Sequence, residues 1–145
     1  MKFLLLVALS ILLSACATGP KLAEIKSNIP LLSSDKGRIY FYRSSSMVGS
    51  AIQPSILLNG KVVGTSKPGG FFFVDEIPGP IEVATTTEVE KKLTFTLEPE
   101  QTRYVRTVVG LGIVAGRVHP ELVDDATGEM ALEEASYVGQ PLSQR

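Results

Sequence analysis

The chain carries one cysteine, one histidine and no tryptophan in 145 residues. A lone cysteine excludes any disulfide within the chain, so the fold must rest on packing alone. A lone histidine leaves a zinc site to be built almost wholly from carboxylates, against the usual histidine and thiolate donors, and no metal or other cofactor is expected. It also restricts a Ser-His-Asp triad to His119. Charge of one sign is missing as well. With 14 Lys+Arg against 15 Asp+Glu there is no basic stripe, which argues against a nucleic-acid partner. No apolar run approaches the roughly 20 residues of a spanning helix. The Val108–Gly116 run is short and rich in glycine.

The other apolar run, Phe3–Leu13, is broken only by Ser10 and follows Lys2. A positive start, a short apolar stretch and then small residues make the layout of a cleaved export signal. Leu13-Ser14-Ala15-Cys16 closes it. This resembles a bacterial lipoprotein signal, and the resemblance implies cleavage between Ala15 and Cys16 and a diacylglyceryl thioether on Cys16. The chain would then be moored to membrane lipid through acylated Cys16. Two or three acyl chains on one residue anchor far more firmly than one, since each buried CH₂ adds about 0.8 kcal/mol. Ala17, where an aspartate often marks inner-membrane retention in such lipoproteins, implies the outer membrane. Residues 1–15 are thus expected as signal peptide and 16–36 as acylated N-terminus and tether. A β-sandwich domain over 37–138 and a loose tail over 139–145 complete the division. With 44% hydrophobic residues the mature chain has enough for one core.

In the tether, Leu22, Ile25 and Ile29 recur at helical spacing before Pro30, so a short helix or a segment lying over the domain is expected. From Gly37 onward the texture is that of strands. Ile39-Tyr40-Phe41-Tyr42-Arg43 has large side chains on both faces, as a central strand would. Asn59-Gly60 between Ile56–Leu58 and Lys61–Val63 is a strong hairpin signal, because both residues tolerate positive φ. Phe71–Val74, Ile81–Ala84, Lys92–Leu97, Arg103–Val108 and Arg117–Val123 follow between Gly/Pro turns. In Lys92–Leu97, Leu93, Phe95 and Leu97 share one face, with threonines on the other. Thr127–Ala135 predicts one short C-terminal helix, capped by Thr127 or the preceding aspartates. Seven or eight short strands with turns every 8 to 12 residues predict a mainly β protein, an antiparallel β-sandwich.

The run Ile56–Gly64 with its Asn-Gly-Lys hairpin, then Phe71–Val74, then Ile77-Pro78-Gly79, resembles the surface β-sandwich modules named for a Pro-Glu-Gly-Ala motif. With Gly37–Arg43 in front and the Leu-Ser-Ala-Cys signal, the chain is more similar to the small bacterial lipoproteins grouped as domain of unknown function 2846. The resemblance covers Gly37 to Val109 and departs at Pro80, where a polar or aromatic residue leading into the strand is expected. It implies a compact exported β domain and carries no catalytic residues over.

Elsewhere chemistry is sparse. A hydrolase would have to join His119 to a serine such as Ser46 and an acid such as Asp125, yet Ser46 lacks the Gly-x-Ser-x-Gly elbow. Asp124–Glu129 resembles a fragment of a calcium loop but lacks the alternating acids, so helix capping is the better account. Gly110-Leu111-Gly112 with Gly116 has the wrong spacing for a dinucleotide fingerprint and reads as a bulge or bent strand. Two features remain. Phe72, if it points outward, could belong to an apolar contact patch; alternatively both faces of Phe71–Phe73 are buried. Arg38, Arg43, Arg103 and Arg106 lie on two strands that could neighbour each other and form a patch for anionic lipid or glycan, or else line ordinary solvated edges. The expectation is a non-enzymatic binding or structural module on the periplasmic side of the bacterial outer membrane, its partner an envelope protein or a glycan. A module that binds a partner through an open sheet edge is the alternative.

Overall fold

The computed structural model describes residues 16–110 and 116–142, without the side chains of 88–90. The signal segment 1–15, including Ala15, the glycine-rich stretch 111–115 and the end of the tail, 143–145, lie outside the described residues.

Among the described residues nine strands form two sheets. In chain order they are β1 (Gly37–Tyr42), β2 (Ser55–Leu58), β3 (Lys61–Thr65), β4 (Gly70–Glu76) and β5 (Gly79–Thr85), followed by β6 (Glu88–Leu97), β7 (Thr102–Gly110), β8 (Arg117–Val123) and β9 (Ser136–Tyr137). The five-stranded sheet runs β8-β7-β1-β4-β9 and the four-stranded sheet β3-β2-β5-β6. Pairing is antiparallel except for β1 with β7 and β4 with β9, which are parallel. Among the described residues two helices, α1 (Leu22–Ile25) and α2 (Asp125–Glu134), accompany the strands, with a 3₁₀ turn, Lys26–Asn28, after α1. This is a mainly β sandwich with a short C-terminal helix, as the turn spacing requires.

The middle position of β1 follows from its sequence. Alternation sends Gly37, Ile39 and Phe41 to one face and Arg38, Tyr40 and Tyr42 to the other. On the first face a Cβ at Gly37 would come within 2.5 Å of the Leu97 side chain, so that face meets the four-stranded sheet. On the second, Tyr40 stacks on Tyr104, and Tyr104 lies against Gly128 of α2, so that face meets the helices. The five-stranded sheet is therefore the middle of three layers, which is why its strands are apolar on both sides. The same alternation runs through β4. Phe71 and Phe73 contact Tyr137 and Tyr40 under the helical layer, whereas Phe72 stacks on Phe41 between the sheets.

The hairpin signal is realised between β2 and β3, with φ of 48° at Asn59 and 80° at Gly60. Helix α2 is capped by Asp124, whose carboxylate accepts the Thr127 amide at 2.9 Å, and these bonds lower its pKa.

Two boundaries need correction. The stretch 16–36 is not a free tether. Ala17 N donates to Pro68 O at 2.9 Å, Tyr137 N donates to Pro20 O at 2.8 Å, and Ile25 is buried in the core cluster. Leu22, Ile25 and Ile29 supply the apolar face that holds it, and together they pay for ordering the segment. At the other end, Leu142 packs against the core and Tyr137 Oη donates to Gln140 O, so residues 139–142 are not loose.

Candidate functional site

The four arginines do come from neighbouring strands: Ile39 is in register with Arg103, and Tyr42 with Arg106. They do not form one patch, because alternation divides them between the two faces of the sheet. Arg38 is buried. Its Nε and Nη2 clamp the Asp75 carboxylate at 2.6 and 2.8 Å, Nη2 also donates to Pro30 O, and the guanidinium covers the Phe73 ring at 4.5 Å. Burial by itself would lower the Arg38 pKa, but the hydrogen bonds and charge of Asp75 raise it. Arg103 faces the four-stranded sheet, 5.6 Å from the Phe95 ring centre. Phe72 is 4% exposed and carries no outward contact patch, since the middle layer has no outward face at that position.

Arg43 and Arg106 sit near the end of β1, on opposite faces of the sheet, since Tyr42 is in register with Arg106. Arg43 continues β1 just past its last ladder residue and is 3% exposed. Its Nη1 donates to Ile52 O at 2.6 Å and, more weakly, to Ser66 O at 3.4 Å; Nη2 donates to Gly49 O at 2.7 Å. No carboxylate meets it among the described residues, and burial pushes its pKa down. Arg106 lies opposite Glu121 across β7 and β8 and donates to it at 2.8 Å. Glu121 also meets His119 Nε2 at 3.1 Å. The Glu121 hydrogen bond raises the Arg106 pKa, and the Arg106 hydrogen bond followed by the His119 contact lowers that of Glu121. A pocket of about 320 Å³ beside the end of β1 is lined by Arg43, Ser44, Ser46, Val48 and the stretch from Arg106 to Val109.

His119 is engaged by Glu121, and the structure joins it by no hydrogen bond to Ser46 or Asp125 among the described residues. Ser46 Oγ accepts from Val48 N, and Asp125 opens α2. Cys16 is exposed and unpaired beside the docked Ala17. The partners Asp75 and Glu121 are invisible to a reading of isolated strands. Both sit directly across a ladder from their arginine, so the register identifies them once it is known.

The Glu121 pairing sets a pH dependence. A carboxylate with a lowered folded-state pKa stabilises above its unfolded value, about 4.3, and loses that contribution as pH falls through the folded value. Glu121 is 38% exposed in its side chain, so screening limits the effect. Glu121→Gln should cost less than about 1 kcal/mol at pH 7. The gap between variant and native melting temperatures should close on acidification. A gap that widens toward low pH excludes the pairing.

Comparison with known proteins places these features in context. The family model described as "Protein of unknown function (DUF2846)" matches residues 33–119. An uncharacterized protein of Haemophilus influenzae is 28% identical over 134 residues, covering 89% of this chain and 79% of its own length. No solved structure matches. The matched segment runs from the turn before β1 into β8 and includes Arg43, Ser46 and Arg106, and the chain belongs to the DUF2846 family, proteins of unknown function.

Proposed function

We propose that this chain is an exported lipoprotein, a non-enzymatic binding or structural module moored by acylated Cys16 to the outer membrane and facing the periplasm. The observation that carries this reading is the Leu13-Ser14-Ala15-Cys16 motif, ending in a cysteine that is exposed and in no disulfide. The docking of the following residues supports a closer arrangement than a tether allows. Ala17 is fixed to Pro68, and Lys21 Nζ donates to Glu134 O at 2.6 Å, so a lipid on Cys16 would hold the domain directly at the headgroup surface. Ser46 Oγ accepts from Val48 N, and no hydrogen bond joins it to His119 among the described residues, which supports the non-enzymatic reading over a hydrolase built on that pair.

Cys16→Ala should move the protein from the detergent-dependent membrane fraction to the soluble periplasmic fraction. Mass spectrometry of the mature native protein should find an acylated Cys16 at its start. A variant that stays with the membrane, or a native chain beginning at Met1, overturns the reading.

One observation favours partner binding by strand addition. β3 is the outer strand of its sheet, and Val62 on it is 64% exposed. Lys61 and the bulge between Ile56 and Leu57 blunt that edge. A photocrosslinker at position 62 that captures no envelope protein in intact cells counts against strand addition.

A further inference from the structure

The end of the sandwich that carries Cys16 differs from the opposite end. The turn Lys67–Gly70, which leads into β4, ties two segments together there. Pro68 O accepts from Ala17 N at 2.9 Å, so Cys16 leaves the fold at this turn. Gly69 N donates to Arg43 O at 2.9 Å, and a Cβ at Gly69 would stand 3.5 Å from that of Ser45. The loop that follows β1 therefore starts beside the anchor residue. β9 begins at the same level, with Gly70 in register with Ser136.

Charge separates the two ends. The loops around Cys16, residues 16–20, 43–54, 66–69 and 138–142, contain Arg43 and Lys67 and no acid. Glu88 and Glu134 lie outside them, at the start of β6 and the end of α2. The opposite end, where β1 begins and β4 and β6 finish, carries Asp35, Asp75, Glu76, Glu98, Glu100 and Asp124. Anionic headgroups attract cations and repel carboxylates, so of the two ends the first suits a membrane surface.

The loop after β1 also has the form that an apolar medium requires. Met47 at its tip is 81% exposed and Val48 is 63% exposed. Its backbone is paired from within. Val48 N donates to Ser46 Oγ, Ser50 N to Met47 O and Ile52 N to Gly49 O. Arg43 holds the carbonyls of Gly49 and Ile52 from the inner side. Unpaired backbone groups are what make a loop costly to bury in lipid, and these are paired before any membrane is met.

We infer that Met47 and Val48 enter the membrane interface beside the acylated Cys16. This contact gives the domain a second hold on the bilayer and a fixed orientation, its acidic end turned away from the lipid. The inference rests on the lipid-anchor reading. An apolar contact adds to a lipid anchor according to the area it buries.

The test uses the full mature chain in vesicles of phosphatidylethanolamine and phosphatidylglycerol, with mass spectrometry of Cys16 on the same sample. Acylation occupies the one native cysteine, so Val48→Cys supplies the sole thiol for an environment-sensitive dye. Ile77→Cys, at a comparably exposed apolar position on the acidic end, is the control. A lipid-borne nitroxide should quench the Val48 dye about threefold more than the Ile77 dye, because interfacial groups settle about 5–10 Å into the headgroup and acyl boundary. Iodide in the water should do the reverse. Met47→Cys should behave as Val48→Cys does, and serves if that variant does not fold. In an acylated chain, equal quenching at the two ends or a Val48 dye open to iodide overturns this inference alone. A chain without acyl groups overturns the anchor and the inference together. Shielding in native envelopes but not in protein-free vesicles marks a protein on the loop in place of lipid, and overturns the inference as well.

Discussion

Phe72→Ala should destabilise the domain by about 4 kcal/mol, the range for emptying a buried aromatic site. The ring is 4% exposed and stacks on Phe41 with 5.1 Å between centroids and 20° between planes. Its opposite side is closed by the backbone of β3: a Cβ built on Gly64 would come within 2.4 Å of Phe72 Cζ. The glycine is what lets the strand approach the ring so closely. Neither wall can move into an emptied site without breaking a ladder, so the cavity should persist rather than collapse. Urea unfolding at constant m-value measures the loss, and Phe72→Leu, which refills part of the volume, should recover much of it. A loss under about 1 kcal/mol in the alanine variant would return Phe72 to the surface.

The strands were legible because local rules determine them. The Asn59-Gly60 turn, the alternation of Leu93, Phe95 and Leu97, and the two-faced apolar character of β1 and β4 each follow from a few adjacent residues. What could not be read was which layer covers each face. Phe71-Phe72-Phe73 is equally consistent with a two-layer sandwich exposing one ring and a three-layer stack hiding all of them. The choice was made by α1 and α2, whose apolar stripes are too short to announce where they dock. The two parallel pairings were out of reach for the same reason. β9 has two residues, and β1 meets β7 across the intervening residues 43–101, so neither leaves a hairpin signature.

The site was half legible. All four arginines belong to β1, its end, or β7, and those strands do pair, but a shared patch presumes a shared face. Arg38 and Arg43 differ by an odd number of positions and must diverge; the same holds for Arg103 and Arg106. Arg43 then becomes a different kind of residue from the other three. Arg38 and Arg106 have carboxylates across the ladder, and Arg103 has an aromatic face, whereas Arg43 has only the carbonyls of a loop.

That difference makes Arg43→Met the other variant of large expected effect, a loss of roughly 3 kcal/mol. Methionine keeps much of the buried volume but strands the carbonyls of Gly49, Ile52 and Ser66, at about 1–3 kcal/mol for each that water cannot reach. Part of the loss should be recovered, because the variant no longer buries an unpaired cation, which is why the estimate stays well below the sum. The Gly49–Ile52 turn packs on the end of β7, where a Cβ at Gly49 would come within 2.8 Å of Val109, so the damage should spread along that strand. Hydrogen exchange should quicken first at Val108 and Val109 and last at Phe41, near the centre of the sheet. Arg43→Lys separates charge from geometry. A lysine keeps the cation but cannot reach carbonyls on two sides of a planar fork, so it should rescue little. If lysine restores native stability, the charge alone suffices and the loop clamp is not what holds Arg43 in the sheet.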